Sequence, residues 1–344
     1  MTADQRPDPG ATPPVSLIMP VLNEQLHLAE AVEHALGQDY PGELELVLAL
    51  GPSSDGTDRV AAALAAADPR VRTVPNPTGR TPDGLNLALA ASRYDIVVRV
   101  DGHALLPPEY VRLAVQTLRR TGADNVGGVM AAVGRTSFER AVAAAMTSRL
   151  GVGSAPFHVG GQEGPAPTVY LGAFRRSALE RVGGYDTRFA RAQDWEMNHR
   201  IRDSGGLVWF TPAMQVTYRP RPTVRRLARQ YLEYGRWRRQ IMRRHPETVS
   251  ARYLAPPAAV VAVALGSAVG LVGLVGPAWA RLGFLAPVGY AAVLAAGALG
   301  TGGSGSGELT PAERARLPVV LATMHAAWGV GFLTSPADLV APRR

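Results

Sequence analysis

The chain contains neither cysteine nor lysine. The first absence excludes disulfides, thiolate zinc sites, iron–sulfur clusters and thiol catalysis. The second makes all 36 basic residues arginine, set against 28 acidic ones for a formal charge of +8. Such an excess suits nucleic acid, an anionic membrane surface or phosphate-bearing substrates, so the placement of the arginines must decide. The opening stretch, MTADQRPDPGATPP, also lacks the apolar run of a targeting segment. Its polar residues, prolines and glycine predict a short disordered tail over 1–14.

From residue 15 to about 220, short apolar runs alternate with helical stretches. The runs are Val15–Met19, Leu44–Leu50, Val71–Val74, Ile96–Val100 and Val126–Val133, with helices expected over 25–36, 58–67, 83–92 and 108–120. Strands alternating with helices imply βαβ units and a largely parallel sheet covered on both faces. Ligands of such sheets bind beyond the carboxyl ends of the strands.

The composition changes near residue 255. Ala255–Val275 carries no charge, and about twenty such residues can cross a bilayer core of ~30 Å. Gly283–Gly300 is a second such run, and Pro318–Thr334, with His325, a weaker third. Two long uncharged runs exceed what a buried hairpin in a small core needs, so two to three membrane spans are expected within 255–335. Immediately before them stands TVRRLARQYLEYGRWRRQIMRRHP, residues 223–246, with eight arginines, two tyrosines and a tryptophan. That make-up predicts an interfacial helix over 223–250 on anionic lipids, with the preceding domain cytoplasmic. Beside a span, a basic run is more simply a membrane device than a nucleic-acid site. TGGSGSG at 301–307 reads as a flexible loop, expected on the cytoplasmic side.

The strand ends hold the chemistry. The first closes on PVLNE, placing Asn23 and Glu24 at the ligand edge, although an asparagine helix cap would look the same. The second ends in GPSSDGT, where Asp55 equally suits an ordinary turn. In NPTGRTPDGLNLAL, Arg80 could reach a phosphate. The fourth, VVRVDGHA, ends a buried strand in Asp101 and His103 around a glycine. A carboxylate and an imidazole could hold Mn²⁺ or Mg²⁺ bridging a diphosphate, while a capping or core histidine is the plainer alternative. Asp194 opens the helix of QDWEMNHRI, where a general base and an N-cap are both open readings.

Taken in order, PVLNE, SSDGT, GLNLAL, RVDGHA, GAFRR and QDWEMNHRI resemble the inverting family 2 glycosyltransferases of GT-A fold. More narrowly they resemble the bacterial branch of succinoglycan-type exopolysaccharide enzymes. The likeness runs from about Val15 to His245. It implies a Rossmann-like, mostly parallel GT-A domain over 15–222 followed by the membrane helices. It also implies residue roles: Pro20, Asn23, Glu24 and Asp55 at the nucleotide, Arg80 toward the phosphates, and Asp101 with His103 as the divalent-cation ligands, Asp101 also meeting the donor. Asp194 is the implied catalytic base, and Gly172, Ala173 and Phe174 the acceptor-side strand. A UDP-sugar is the expected donor and a polyprenyl-linked glycan the expected acceptor, at the inner membrane, in cell-surface or exopolysaccharide synthesis. Nucleic acid is not an expected partner.

Three departures qualify the likeness. The paired aspartates common in the second-strand motif are Leu50 and Gly51 here, which opens the question of the base. Gln193 replaces the glutamate beside the base. No Q-x-x-R-W follows, which argues against a processive synthase. The rival readings are a polyprenyl-phosphate glycosyl synthase, a catalytically silent scaffold of an export complex, and a sugar-1-phosphate nucleotidyltransferase. The last would open with a Gly-rich loop, not PVLNE.

Overall fold

A strand buried on both faces needs apolar residues at successive positions, which the chain supplies at 15–19, 44–50 and 96–98, while the shorter run at 71–75 is mostly exposed. In the computed structural model, which describes residues 12–153, 155–301, 308–337 and 339, these runs form β1 (Val15–Val21), β2 (Leu44–Leu50), β3 (Val71–Pro75) and β4 (Ile96–Arg99). Most of the proposed tail, and all but the first residue of the 301–307 loop, lie outside the described residues. The sheet continues with β5 (Asn125–Ala132), β6 (Gly164–Pro165), β7 (Tyr170–Arg175) and β8 (Val208–Tyr218).

The first helices are α1 (Leu28–Leu36), α2 (Thr57–Ala67), α3 (Thr81–Ala91) and α4 (Tyr110–Thr121). Next come α5 (Ser137–Met146), α6 (Arg149–Val152), α7 (Pro156–Val159), α8 (Arg176–Arg181) and α9 (Gln193–Asp203). The last four are α10 (Val224–Arg244), α11 (Ala251–Val275), α12 (Leu285–Gly300) and α13 (Pro311–Leu333).

The strand order is β3-β2-β1-β4-β7-β5-β8-β6. The first four are parallel, while β7 is antiparallel to both β4 and β5 and β6 is antiparallel to β8. The sheet is therefore mixed, its parallel half carrying the edge where ligands bind. The chain divides into two compact units, with cuts after Val129, Gly161 and Val216. Residues 130–161 cluster with the C-terminal part, not with the sheet they interrupt.

In the first unit Leu17, Met19, Leu46, Leu48, Val98, Val100 and Tyr110 form one buried core. At the opposite end of the sheet from the strands' carboxyl termini, Ser16 and Glu45 sit side by side in register. The buried Ser16 hydroxyl donates to Glu45 at 2.6 Å, and the Arg93 amide and Nε donate to the same carboxylate at 2.6 and 2.9 Å. Burial opposes the charge on Glu45, but these donors win and hold its carboxyl below the usual range.

The second unit is helical. Its buried Glu139 closes a capping box on α5, accepting from the amides of Arg135 and Thr136 and from Arg219 at 2.8, 2.9 and 3.1 Å. Buried Glu313 pairs with Arg140. Three apolar helical stretches, Ala251–Val275, Ala278–Gly300 and Pro311–Leu333, are each long enough to cross a membrane. Their apolar side chains largely face outward, Leu271 being 58% and Val275 94% exposed. An exposed face of that composition needs lipid, not water, beside it. Glycines let the helices approach closely: a side chain at Gly235 would collide with the Trp328 carbonyl, and one at Gly331 with that of Leu232.

Candidate active site

The carboxyl ends of β1, β2 and β4 deliver three loops to one edge. After β1, Asn23 adopts a left-handed conformation (φ 56°) that asparagine tolerates better than most residues. It binds the loop after β2: its amide donates to Ser53 at 3.0 Å, and its side-chain oxygen accepts from the Ser54 amide at 2.8 Å. The Glu24 amide donates to Thr57 at 2.8 Å and the Gln25 amide to Asp55 at 3.3 Å. Asp55 also accepts from the Thr57 amide at 3.0 Å and from its hydroxyl, which holds its carboxyl below the usual range. Asp55 thus joins the two loops. Pro20 packs against α3 at Gly84, where a Cβ would lie 3.3 Å from its ring.

The turn after β4 is closed by the Ala104 amide donating to the Asp101 carbonyl at 2.8 Å. Gly102 has Glu24 across from it, whose Cγ would lie 3.1 Å from an added Cβ. That room lets Glu24 reach His103, with Oε1 2.8 Å from Nδ1. A histidine whose Nδ1 donates to a carboxylate presents Nε2 as a ligand, as metal-binding histidines commonly do. Asp101 receives Nε and Nη2 of Arg99 on Oδ1 at 3.1 and 3.0 Å. Its Oδ2 has no hydrogen bond from the described residues. A carboxylate oxygen and an imidazole are donor types that a divalent cation takes, and the imidazole suits Mn²⁺ better than Mg²⁺.

Arg99 is the centre of the site. Its side chain is 4% exposed and lies between Asp101 and Asp194, pairing with both. Burial disfavours its charge, but the two carboxylates hold it firmly protonated. Asp194 is the second residue of α9. The N-cap is Ala192, which has no side-chain cap and a left-handed φ of 58°. The capping alternative for Asp194 therefore does not describe the structure. Burial pushes the Asp194 carboxyl up to about 6, with Arg99 opposing and Asp101 adding to the rise. Glu196 is turned elsewhere, onto Arg200 at 2.6 Å.

Tyr185 is buried beside this group, feels the charges of Arg99, Asp194 and Asp101, and its hydroxyl has no hydrogen-bond partner at normal geometry. Its backbone is clamped by Asn86, which accepts from its amide and donates to its carbonyl, both at 2.8 Å. Sequence reading missed Arg99 and Tyr185 as site residues. A charge inside the run Val97–Val100 was the available signal for the first. Tyr185 left none.

The structure pairs Glu24 with His103 and links Asp101 to Asp194 through Arg99. No hydrogen bond or ion pair among the described residues links Asp55 or Arg80 to Asp101 or Asp194. Arg80 donates to the Thr187 carbonyl and lies 3.7 Å from Asp83. Gly172 (φ 101°) follows Leu171 (φ 58°) where β7 begins, beside the end of β4. Ala173 and Phe174 are buried in the sheet, facing β4 in register. The three non-glycine residues with positive φ, among those described, are Asn23, Leu171 and Ala192, each at the start of a site element.

Residues 16–183 match the family model described as Glycosyl transferase family 2. The chain is 32% identical over 319 residues to the succinoglycan biosynthesis protein ExoA of Rhizobium meliloti (strain 1021), covering 92% of this chain and 93% of that one. It is 22% identical over 231 residues to a dolichyl N-acetyl-alpha-D-glucosaminyl phosphate 3-beta-D-2,3-diacetamido-2,3-dideoxy-beta-D-glucuronosyltransferase of Methanococcus voltae, covering 64% of this chain and 71% of that one. Among solved structures, the mannosyltransferase PcManGT of Pyrobaculum calidifontis, in complex with GDP-Man and Mn²⁺, superposes with a TM-score of 0.60 at 23% identity, covering 97% of this chain and 91% of that one.

Proposed function

The chain belongs to glycosyltransferase family 2, and we propose that it transfers a sugar from a sugar nucleotide to a lipid-linked glycan with inversion. The carrying observation is Arg99, which holds Asp101 and Asp194 on either side of one buried guanidinium. The acceptor hydroxyl oxygen attacks the anomeric carbon, the bond from that carbon to the diphosphate oxygen breaks, and Asp194 takes the hydroxyl proton. One displacement inverts the centre, so a single carboxylate base suffices. Asp101 and His103 would hold a divalent cation, whose charge stabilises the departing diphosphate. Glu24 orients His103, and Arg99 keeps both aspartates in place. Tyr185, buried against Arg99, helps hold that guanidinium in place. Pro20, Asn23 and Asp55 shape the nucleotide loops, Arg80 is assigned to the phosphates, and Gly172 with the start of β7 forms the acceptor side.

The succinoglycan relative supports cell-surface or exopolysaccharide synthesis. The archaeal relative, named for a lipid-linked sugar acceptor, supports a lipid-linked glycan over a bare lipid phosphate. We place the enzyme in the inner membrane as a multi-pass protein. The eight arginines of residues 223–246 precede the first span, which by the positive-inside rule sets the catalytic domain on the cytoplasmic face and α10 on anionic lipids.

The test is a transfer assay on the full chain in neutral detergent with Mn²⁺, UDP- and GDP-sugars, and two acceptors. Transfer to a polyprenyl-diphosphate-linked sugar is expected. Transfer to bare polyprenyl phosphate alone would install the synthase reading, and absence of both transfer and sugar-nucleotide hydrolysis the scaffold reading.

A further inference from the structure

Of the three long apolar helices, α13 differs from the other two. It buries 33% of its most apolar stretch, against 11% in each of the others. The elements that cover it fix where it can lie. Near its start, Glu313 pairs with Arg140 of α5, one residue from the Glu139 that pairs with Arg219. At its middle, Met324 lies against Gly151 of α6, its Cε 3.2 Å from where a Cβ would be. His325 Nε2 is 2.8 Å from the Leu150 carbonyl oxygen. At its end, Arg239 of α10 donates to the carbonyls of Phe332 and Leu333 at 2.9 and 2.7 Å, and Gln240 donates to Ser335 at 2.9 Å.

A helix of 23 residues is about 34 Å long, enough to cross a bilayer core. Were α13 to cross, residues 324 and 325 would stand near mid-bilayer, and α6 would stand there with them. Yet α6 is a single turn, opened by the Ser148 cap and the exposed Arg149 and closed at Gly153. Irregular backbone facing lipid is not tolerated at that depth, and a charge there is costly. The contacts of α13 with the other apolar helices lead the same way. Arg314 donates to the carbonyls of Ala298 and Leu299 at 3.0 and 2.9 Å. Leu150 touches both Gly297 and His325, so positions 314 and 325 of α13 both lie close to the end of α12. Tyr290 reaches the other ring nitrogen of His325 from further along α12, at 3.1 Å. A Cβ on Gly329 would lie 2.7 Å from the carbonyl oxygen of Pro256, early in α11. Between them, α11 and α12 fold back on each other, Arg281 donating to the Gly273 carbonyl at 2.9 Å. A hairpin starts and finishes on one side, and α13 runs between its start and its finish.

We infer that only α11 and α12 cross the bilayer, as a hairpin, and that α13 lies within the leaflet on the side of α5 and α10. Its outward Val319 and Val330 then face lipid, and both its ends stay on that one side. The inference rests on the proposed membrane placement and sets the number of crossings at two.

Because the chain has no cysteine, single introduced cysteines report sides without interference. R59C marks the catalytic domain, A278C the hairpin turn and T334C the end of α13; all three positions are exposed. Each full-length variant is labelled in spheroplasts with a membrane-impermeant maleimide, before and after lysis. T334C is expected to label only after lysis, as R59C does, and A278C before it. T334C labelling with A278C and apart from R59C overturns the inference in favour of three crossings. All three labelling alike, or T334C apart from both, overturns it by denying the hairpin. If R59C and T334C label before lysis and A278C only after, the cytoplasmic placement of the domain fails and the two crossings stand. Labelling does not depend on catalysis, so a chain that transfers no sugar sinks the functional reading alone.

Discussion

At the scale of single residues, Arg99 joins two carboxylates with different assignments, one on the donor side and one for the acceptor proton. Asp194→Asn keeps the shape and removes the base. Turnover should fall by about 10²–10⁴-fold with sugar-nucleotide affinity unchanged, in the range general-base assistance supplies. Stability should fall by about 1.5–3 kcal/mol for the lost bond to a charged group, Asp101 still balancing Arg99; denaturant unfolding reads it. With the Asp194 carboxyl pushed up to about 6, the base is protonated below that pH and ionised above it. The value of kcat/KM should therefore rise with pH through about 6, and a profile flat from pH 5 to 8 would remove Asp194 from the proton transfer. Arg99→Met leaves the two aspartates without the cation between them. Like charges raise each other's pKa, so the acid limb should move upward, with a stability loss of about 3–5 kcal/mol. The placement of Asp101, His103 and Asp194 at strand and helix ends was legible because the apolar runs and a family pattern marked those ends. Tyr185 was not, because it depends on a fold that brings residue 185 to a strand ending at residue 99.

At the scale of elements, the β1–α1 loop holds its shape through bonds to the loop after β2. Asn23→Ala removes the acceptor for Ser54 and puts a less tolerant residue at φ 56°. We expect about 1–2 kcal/mol of destabilisation by thermal unfolding and weaker sugar-nucleotide binding. The Ser16–Glu45–Arg93 group makes the sheet acid-sensitive. Glu45 is held below the usual carboxylate range, so its contribution is present above about pH 4.5 and lost as pH falls through its folded value. Glu45→Gln should blunt acid unfolding below pH 4.5 while lowering stability at pH 7. Strands β1 to β5 and helices α1 to α4 were legible to within about three residues, because buried strands such as β1, β2 and β4 read as apolar runs and helical stretches fill the intervals between the runs. The stretch 134–161 was not, since α6 and α7 are single turns whose partners lie in distant helices. A strand at Gly172–Phe174 was implied by the resemblance, but its antiparallel insertion between β4 and β5 was not legible, since it depends on long-range pairing and on a bend at Leu171 and Gly172.

For the molecule as a whole, cation and donor binding at the proposed Asp101 and His103 site would be linked to folding. A donor that needs the cation should raise the melting temperature only when both are supplied. At a hundred times its dissociation constant the gain is about 2.7 kcal/mol. Scanning calorimetry should show this with Mn²⁺, less with Mg²⁺ and not with EDTA; an EDTA-insensitive shift would exclude the metal role. The long apolar helices were legible because apolar length is read directly, whereas the assignment of residues 130–161 to the helical unit depends on contacts with segments far along the chain. The order of strands also sets a timetable for synthesis. β4 ends at Arg99, yet its outer neighbour β7 begins only at Tyr170. At ~5–20 residues per second the open edge waits on the order of 4–14 s, and unpaired edges of that kind recruit other chains. The last strand ends at Tyr218 and the first long apolar helix begins at Ala251, so every strand has left the ribosome before that helix has. A nascent chain built in this order can complete its sheet in water before its first long apolar helix is exposed.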